Sequence, residues 1–158
     1  MAASKSIVES PQFEAFMKYG TYTVVKMLLM SPLTGIARGA RGSFDYKEDY
    51  KGYSNLSRDE IKAKLDTKDG TIERIRRCHL NDVENIPPFI LISFFYVLAA
   101  NPTLESCHWH FRIFLAARIV HTLSHLLAIR APTRSLAFLV GFLTTASMAW
   151  KTIRALKV

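Results

Sequence analysis

The sequence predicts an all-α membrane protein built as a bundle of four transmembrane helices. Hydrophobic residues make up 49% of the 158 positions although 22% are charged, and the two kinds are segregated along the chain. Four apolar segments alternate with polar loops, and the basic residues concentrate in alternate loops. Such segregation is typical of membrane proteins, because a charged group at bilayer depth is costly. We expect one domain that covers residues 1–158.

The four apolar segments occupy residues 13–37, 73–100, 111–129 and 135–153. A helix needs about 20 residues to cross a bilayer. The second segment reaches that length only if its helix begins near Glu73, so its first turns are polar and either project from the bilayer or line a cavity. Pro87 and Pro88 fall inside this helix and should bend it.

The loop over residues 38–72 is the one large polar segment. Ser57 and Glu60 have the spacing of a capping box, which predicts a short helix from 58 to 65. This loop, the tight turn at 130–134 and Arg74, Arg76 and Arg77 at the start of the second span together hold 13 of the 21 Lys and Arg, whereas the loop over 101–110 contains neither. The positive-inside rule therefore places loop 38–72 in the cytosol and both termini on the far side.

The net charge of +8, from 21 Lys and Arg against 13 Asp and Glu, could also indicate a nucleic-acid partner. The basic residues lie beside apolar segments without a stripe of base-stacking aromatic residues, so we expect the lipid bilayer and no nucleic acid. Cys78 and Cys107 would lie on opposite membrane sides, which predicts that they do not form a disulfide.

The candidate site begins at the cytosolic end of the second span. Arg77, Asn81 and Glu84 fall at i, i+4 and i+7 and share one helix face, with Arg74 within about 60° of it. Two cations, an amide and a carboxylate suit a small zwitterion that carries carboxylates and an amine. Further polar groups at the same depth come from the other spans: Arg38, Arg118, His121, His125, Arg134 and Ser135. The competing interpretations are arginines that reach for lipid headgroups and polar pairs that lock the bundle.

His121 and His125 at i, i+4 could bind a metal or a haem. A third ligand on a facing helix is not evident from the sequence, so we expect no metal. Lys26 lies within the first span and needs a partner, with Asp82 or Glu84 as candidates. Asp82 points away from the Arg77 face and is expected to pair with a basic residue of a neighbouring helix or subunit.

These residues resemble a known family. The second span opens with charged and amide residues in a fixed pattern: Glu73, Arg74, Arg76, Arg77, His79, Asn81, Asp82, Glu84, Asn85, Pro88 and Phe89. This pattern, together with residues 110–122, is similar to the MAPEG superfamily, the membrane-associated proteins of eicosanoid and glutathione metabolism. The likeness extends from Lys26 to about Trp150. It is strongest to the microsomal glutathione S-transferase branch, with some features of microsomal prostaglandin E synthase.

The resemblance implies a homotrimer that binds glutathione at each subunit interface, near the cytosol. It implies that glutathione is held by Arg38, Arg77, Asn81, Glu84, Arg118, His121 and Arg134. Ser135 matches a serine that acts on the thiol in the prostaglandin branch. This sequence departs from family patterns at His125 and Phe138, where tyrosines are common. Tyr50 stands where the vertebrate transferase has an activatable cysteine.

We therefore expect an enzyme that conjugates glutathione to lipophilic electrophiles, with peroxidase activity on lipid hydroperoxides. Arg134 and Ser135 would stabilise the thiolate, while Arg74 and His125 join the glutathione-binding set. The alternatives are a glutathione-dependent prostaglandin E synthase, a non-catalytic lipid-binding scaffold, and a haem-carrying electron-transfer protein. The resemblance implies the endoplasmic reticulum membrane, or also the mitochondrial outer membrane, with the active site facing the cytosol.

Overall fold

The computed structural model describes residues 7–52, 56–67 and 69–156. Within these ranges the chain is helical and contains no strand. Four long helices and one short helix follow in the order α1 (Pro11–Arg41), α2 (Arg58–Asp66), α3 (Gly70–Ala99), α4 (Leu104–Leu126) and α5 (Thr133–Ala155). Two 3-10 segments, Ile7–Glu9 and Lys47–Gly52, flank α1. The orientation predicted for the termini rests partly on Lys5 and Lys157, which lie outside the described residues.

The helix ends follow local capping chemistry. The Ser10 hydroxyl accepts a hydrogen bond from the backbone amide of Phe13 and caps α1, which ends at Gly42 with a left-handed φ of 55°. A glycine suits that position because it has no Cβ to clash. The predicted capping box is confirmed, since Ser57 and Glu60 each accept from the other's backbone amide at the start of α2.

Helix α3 begins slightly before the expected position. Its first turn is capped by Asp69, whose Oδ1 accepts from the amides of Thr71 at 2.8 Å and Ile72 at 3.1 Å. The bond from Ile72, the bond from Thr71 and the nearby Arg41 together hold the pKa of the Asp69 carboxyl below its usual range. Pro87 and Pro88 lie inside this 30-residue helix without ending it.

The core joins all four long helices. Helix α1 packs along α3, and α4 packs along α5. The interior is rich in aromatic side chains, with the rings of Phe89 and Phe114 stacked at a centroid distance of 3.7 Å. Phe16 of α1 and Met148 of α5 belong to the same buried cluster. This arrangement fixes the depth at which polar residues of different helices meet.

Two of the helices, Gly70–Ala99 and Thr133–Ala155, are long and apolar enough to cross a membrane by length and composition. Helices α1 and α4 have 31 and 23 residues, which at 1.5 Å per residue is also sufficient length for a bilayer. Charged residues, Lys18 and Lys26 in α1 and Arg112 and Arg118 in α4, lie within their apolar stretches. Four spans per chain therefore remain a prediction.

Candidate active site

A buried ion cluster joins three of the long helices inside the bundle. Asp82 of α3 is fully buried, and its Oδ1 accepts two hydrogen bonds from Arg118 of α4, at 2.6 Å from Nη2 and 3.1 Å from Nε. Its other oxygen, Oδ2, accepts from the Lys26 ammonium of α1. One carboxylate thus serves two cations, and the formal charges of the cluster sum to +1.

Asp82 is buried because of its position on α3. Ile75, Cys78, Asp82, Ile86 and Phe89 recur at spacings of three and four residues, and all are buried. They form the apolar face of an amphipathic helix. A lone carboxylate there would be strongly unfavourable, so its two cationic partners are needed to offset the loss of water.

Polar groups of the predicted site surround Arg118. Its Nη2 donates to the Asn81 side-chain oxygen at 2.8 Å and lies 3.4 Å from Nδ1 of His121. The rings of His121 and His125 are 4.7 Å apart. Nδ1 of His125 and Nε of Arg74 are buried without a hydrogen-bond partner among the described residues. Since buried polar groups are nearly always hydrogen-bonded, these two atoms have capacity for a ligand.

Other predicted residues lie elsewhere on the single chain. The Arg77 side chain is 72% exposed and pairs with Glu73, and Glu84 and Ser135 are also exposed. Arg134 is half-buried at the start of α5. One chain therefore brings together Arg118, Asn81, His121 and His125, but it leaves Arg77, Glu84 and Ser135 on its outer surface.

Arg38 lies in the last turn of α1, in a part of the structure separate from the groups around Arg118. It pairs with Asp45 and lines a cavity of about 240 Å³ that also contains Lys64, Asp69 and Arg76. The loop above it is held by the Tyr50 hydroxyl, which accepts from the Phe44 amide at 2.9 Å. Tyr50 is 1% exposed, so it is a structural residue of this loop.

The sequence predicted part of the ion cluster. Lys26 pairs with Asp82 rather than Glu84, and Asp82 does pair with basic residues of neighbouring helices, as expected. The prediction missed that Arg118 binds Asp82, because Arg118 had been assigned to the ligand alone. Asp82 shares the buried face of α3 with Cys78, and Cys78 contacts Thr122 of α4, but that contact is visible only in the folded chain, so the sequence held no direct signal for the pair.

Both cysteines are free, in agreement with the prediction that they do not pair, and the structure shows that both are buried. Their positions on different parts of the bundle agree with packing roles: Cys78 lies in a cluster with Met30 and Ile75. Among the described residues, no group of three His, Cys, Asp or Glu side chains is placed to hold a metal ion.

Comparison with known proteins now identifies the family. The model of the MAPEG family matches residues 16–154. The chain belongs to the MAPEG family. It is 39% identical over 155 residues to microsomal glutathione S-transferase 1 of Mus musculus, covering 98% of this chain and 97% of the relative. The human protein of that name is 38% identical over 149 residues, or 94% of each chain.

A second group of relatives is somewhat more distant. Human prostaglandin E synthase is 33% identical over 162 residues, which covers 99% of this chain and 100% of the relative. The MAPEG resemblance and its leaning toward the transferase branch are thereby confirmed. The buried ion cluster and the groups around Arg118 lie within the matched region of this membrane protein family.

Proposed function

We propose that the chain is a membrane-bound glutathione transferase that conjugates glutathione to lipophilic electrophiles. The excess positive charge of the buried cluster carries the proposal, because a site for a peptide with two carboxylates needs cations that are not fully neutralised. Transferase relatives that match almost the full chain support the same conclusion. Glutathione is a substrate in this scheme and no metal is required.

Arg118, Asn81, His121 and His125 form the part of the site that one chain supplies. Charge-assisted hydrogen bonds from a guanidinium to a carboxylate are short and strong, so Arg118 can hold a glutathione carboxylate. The unpartnered Nε of Arg74 and Nδ1 of His125 are suitable donors for further polar atoms of the peptide.

The exposed members of the predicted set support a site completed by a second copy. Arg77, Glu84 and Ser135 carry polar groups on an otherwise apolar bundle surface, where Val83, Leu136 and Leu139 are also exposed. In our proposal, three copies assemble with these surfaces facing the Arg118 region of a neighbour. Glu84 then pairs with the γ-glutamyl amine, while Arg77 and Arg38 bind carboxylates.

The chemistry requires an ionised sulfur. A thiol with the ordinary pKa of about 8.5 is mostly protonated at neutral pH, and lowering that pKa by two units takes about 2.7 kcal/mol. Arg134 and Ser135, as a cation and a hydroxyl donor, supply that stabilisation in a partly desolvated cleft. The thiolate attacks an electrophilic carbon that enters from the bilayer. With a lipid hydroperoxide, the same thiolate attacks the terminal oxygen and breaks the O–O bond, which releases the lipid alcohol and leaves glutathione as a sulfenic acid. A second glutathione then converts the sulfenic acid to glutathione disulfide and water.

Purified protein in detergent should conjugate glutathione to a halonitroarene. Replacing Arg134 with Ala should reduce kcat at neutral pH by up to about 25-fold, because the ionised fraction of a thiol at about pH 7 falls from about 76% at pKa 6.5 to about 3% at pKa 8.5, with a smaller effect on glutathione affinity. The matched control is Arg130→Ala, which removes an exposed arginine from the same turn. Equal activity in the native and Arg134→Ala proteins would remove Arg134 from the thiolate role.

The relatives named prostaglandin E synthase favour one further candidate, isomerisation of a lipid endoperoxide. Arg134 and Ser135 fit that reaction, whereas Phe138 lacks the phenol found in that branch. Turnover of an endoperoxide that exceeds halonitroarene conjugation would favour this alternative. We place the protein in the endoplasmic reticulum membrane, or also in the mitochondrial outer membrane, with four spans and a cytosolic active site.

A further inference from the structure

Lys26 is the member of the ion cluster that the proposed function leaves without a role. It approaches Asp82 from α1, on the carboxylate oxygen that Arg118 does not use. Its side chain is only 14% exposed. An unbranched lysine that extends into a helical bundle loses side-chain entropy and hydration, so an electrostatic contribution is expected from it.

The charge balance of the cluster shows what that contribution is. If Arg118 faced Asp82 alone, the guanidinium and the carboxylate would cancel, and an incoming anion would meet a neutral pair. With Lys26 on Oδ2, the three groups together carry a formal charge of +1. Interactions at such a depth are screened little by salt, so the surplus charge acts on any ligand beside Arg118.

The positions of the three side chains place the surplus positive charge on the side of Arg118. Lys26 and Arg118 come from different helices and hold opposite oxygens of one carboxylate, which fixes the plane of the Asp82 side chain. Arg118 then extends its Nη2 to Asn81 at 2.8 Å and lies beside His121. Those residues belong to the candidate glutathione site, while the lysine remains behind the carboxylate.

We propose that Lys26 is a positioning residue that balances Asp82, so that Arg118 keeps an unneutralised positive charge for a carboxylate of the bound peptide. This inference rests on the proposed function and assigns a new role within that site. The alternative is that Lys26 and Asp82 only hold α1 and α3 together. In that case, any hydrogen-bonded pair at positions 26 and 82 would give native glutathione affinity, whatever the charge of the cluster.

Amide substitutions separate charge from hydrogen bonding. Lys26→Gln keeps a donor for Asp82 and lowers the formal charge of the cluster from +1 to 0. Lys26→Gln combined with Asp82→Asn restores it to +1, because Arg118 is then the one charged member. In the double variant, the new amide at position 82 can accept from Arg118 and donate to the amide at position 26. Lys26→Arg keeps the charge, and Lys18→Gln is the matched control on the exposed side of α1.

The test measures the dissociation constant of glutathione by calorimetry, together with kcat and KM for a halonitroarene and thermal stability in detergent. Lys26→Gln should weaken glutathione binding about tenfold, the scale of one unit charge at several ångströms, while kcat at saturating glutathione stays within about twofold. Lys26→Arg and Lys18→Gln should bind like the native protein, and the double variant should recover to within about threefold of native affinity.

Native-like affinity in Lys26→Gln would overturn the role of Lys26, and so would a double variant that binds as weakly as Lys26→Gln. If Lys26→Gln does not fold, the double variant decides, because its amide at position 82 still accepts from Arg118 and the two new amides still bond to each other. A tenfold loss of glutathione affinity in the folded double variant overturns the inference. A native protein that does not bind glutathione would instead refute the proposed function, and this inference with it.

Discussion

Removal of the Asp82 carboxylate should be among the most damaging single changes to this bundle. Asp82 is fully buried and accepts from Lys26 and from two N–H groups of Arg118. In Asp82→Leu, the two cations remain at 14% and 1% side-chain exposure without a counter-charge. Breaking a buried ion pair by removing one partner costs about 3–5 kcal/mol, so we expect a loss of about 4 kcal/mol.

The assay is unfolding of the purified protein in mixed detergent micelles, followed by loss of helical circular dichroism. Asp82→Asn should lose less than Asp82→Leu, because its side-chain oxygen still accepts from Arg118. Asp45→Asn is the control, since its pair with Arg38 is 56% exposed on the carboxylate side and exposed pairs contribute about 0–1 kcal/mol. Equal destabilisation by Asp82→Leu and Asp45→Asn would refute the account of the cluster.

Four further substitutions test local features. The lowered pKa of Asp69 predicts that its capping of α3 stabilises the fold fully above about pH 4, the ordinary pKa of Asp, and that this contribution is lost as the pH falls through the folded-state pKa. The protection of the first-turn amides of α3 against hydrogen exchange, corrected for the slower intrinsic exchange in acid, should therefore fall on acidification, and Asp69→Asn should remove that pH dependence. Ala128 and Gly42 both have a left-handed φ, of 52° and 55°. Ala128→Gly should therefore stabilise the protein by up to about 1 kcal/mol, and Gly42→Ala should destabilise it by a similar amount. Thermal shifts of the same sign in the two variants would contradict this. Tyr50→Phe removes the hydroxyl that holds the Phe44 amide, so limited proteolysis should cut the segment 43–50 faster, and an unchanged rate would argue against that role.

The helices were predictable because each carries its own signals. The long apolar segments, the Ser57 to Glu60 capping box and the polar first turns of the second span gave elements that begin and end within a few residues of their positions in the structure. The sequence predicted that α4 begins at 111, whereas it begins at Leu104. The prediction was late because Thr103 and the polar turn after it have the composition of a loop.

The site was predicted less completely. Helical spacing put Arg77, Asn81 and Glu84 on one face of α3. It could not show that Arg77 and Glu84 are exposed on the outer surface of the single chain, or that Asn81 is the member of the three that contacts Arg118. Spacing within one helix also says nothing about which residues of another helix it meets. The contact between Arg118 and Asp82 depends on how α3 and α4 pack, and that is set by the aromatic core as a whole.

The central claim is that this buried cationic cluster helps bind glutathione, and calorimetric titration of glutathione into the purified protein tests it most directly. We predict saturable binding to the native protein, which Arg118→Met weakens by at least tenfold and the exposed-surface variant Arg130→Met leaves unchanged. A folded native protein that gives no saturable binding, or an Arg118→Met variant that binds with native affinity, would contradict the claim.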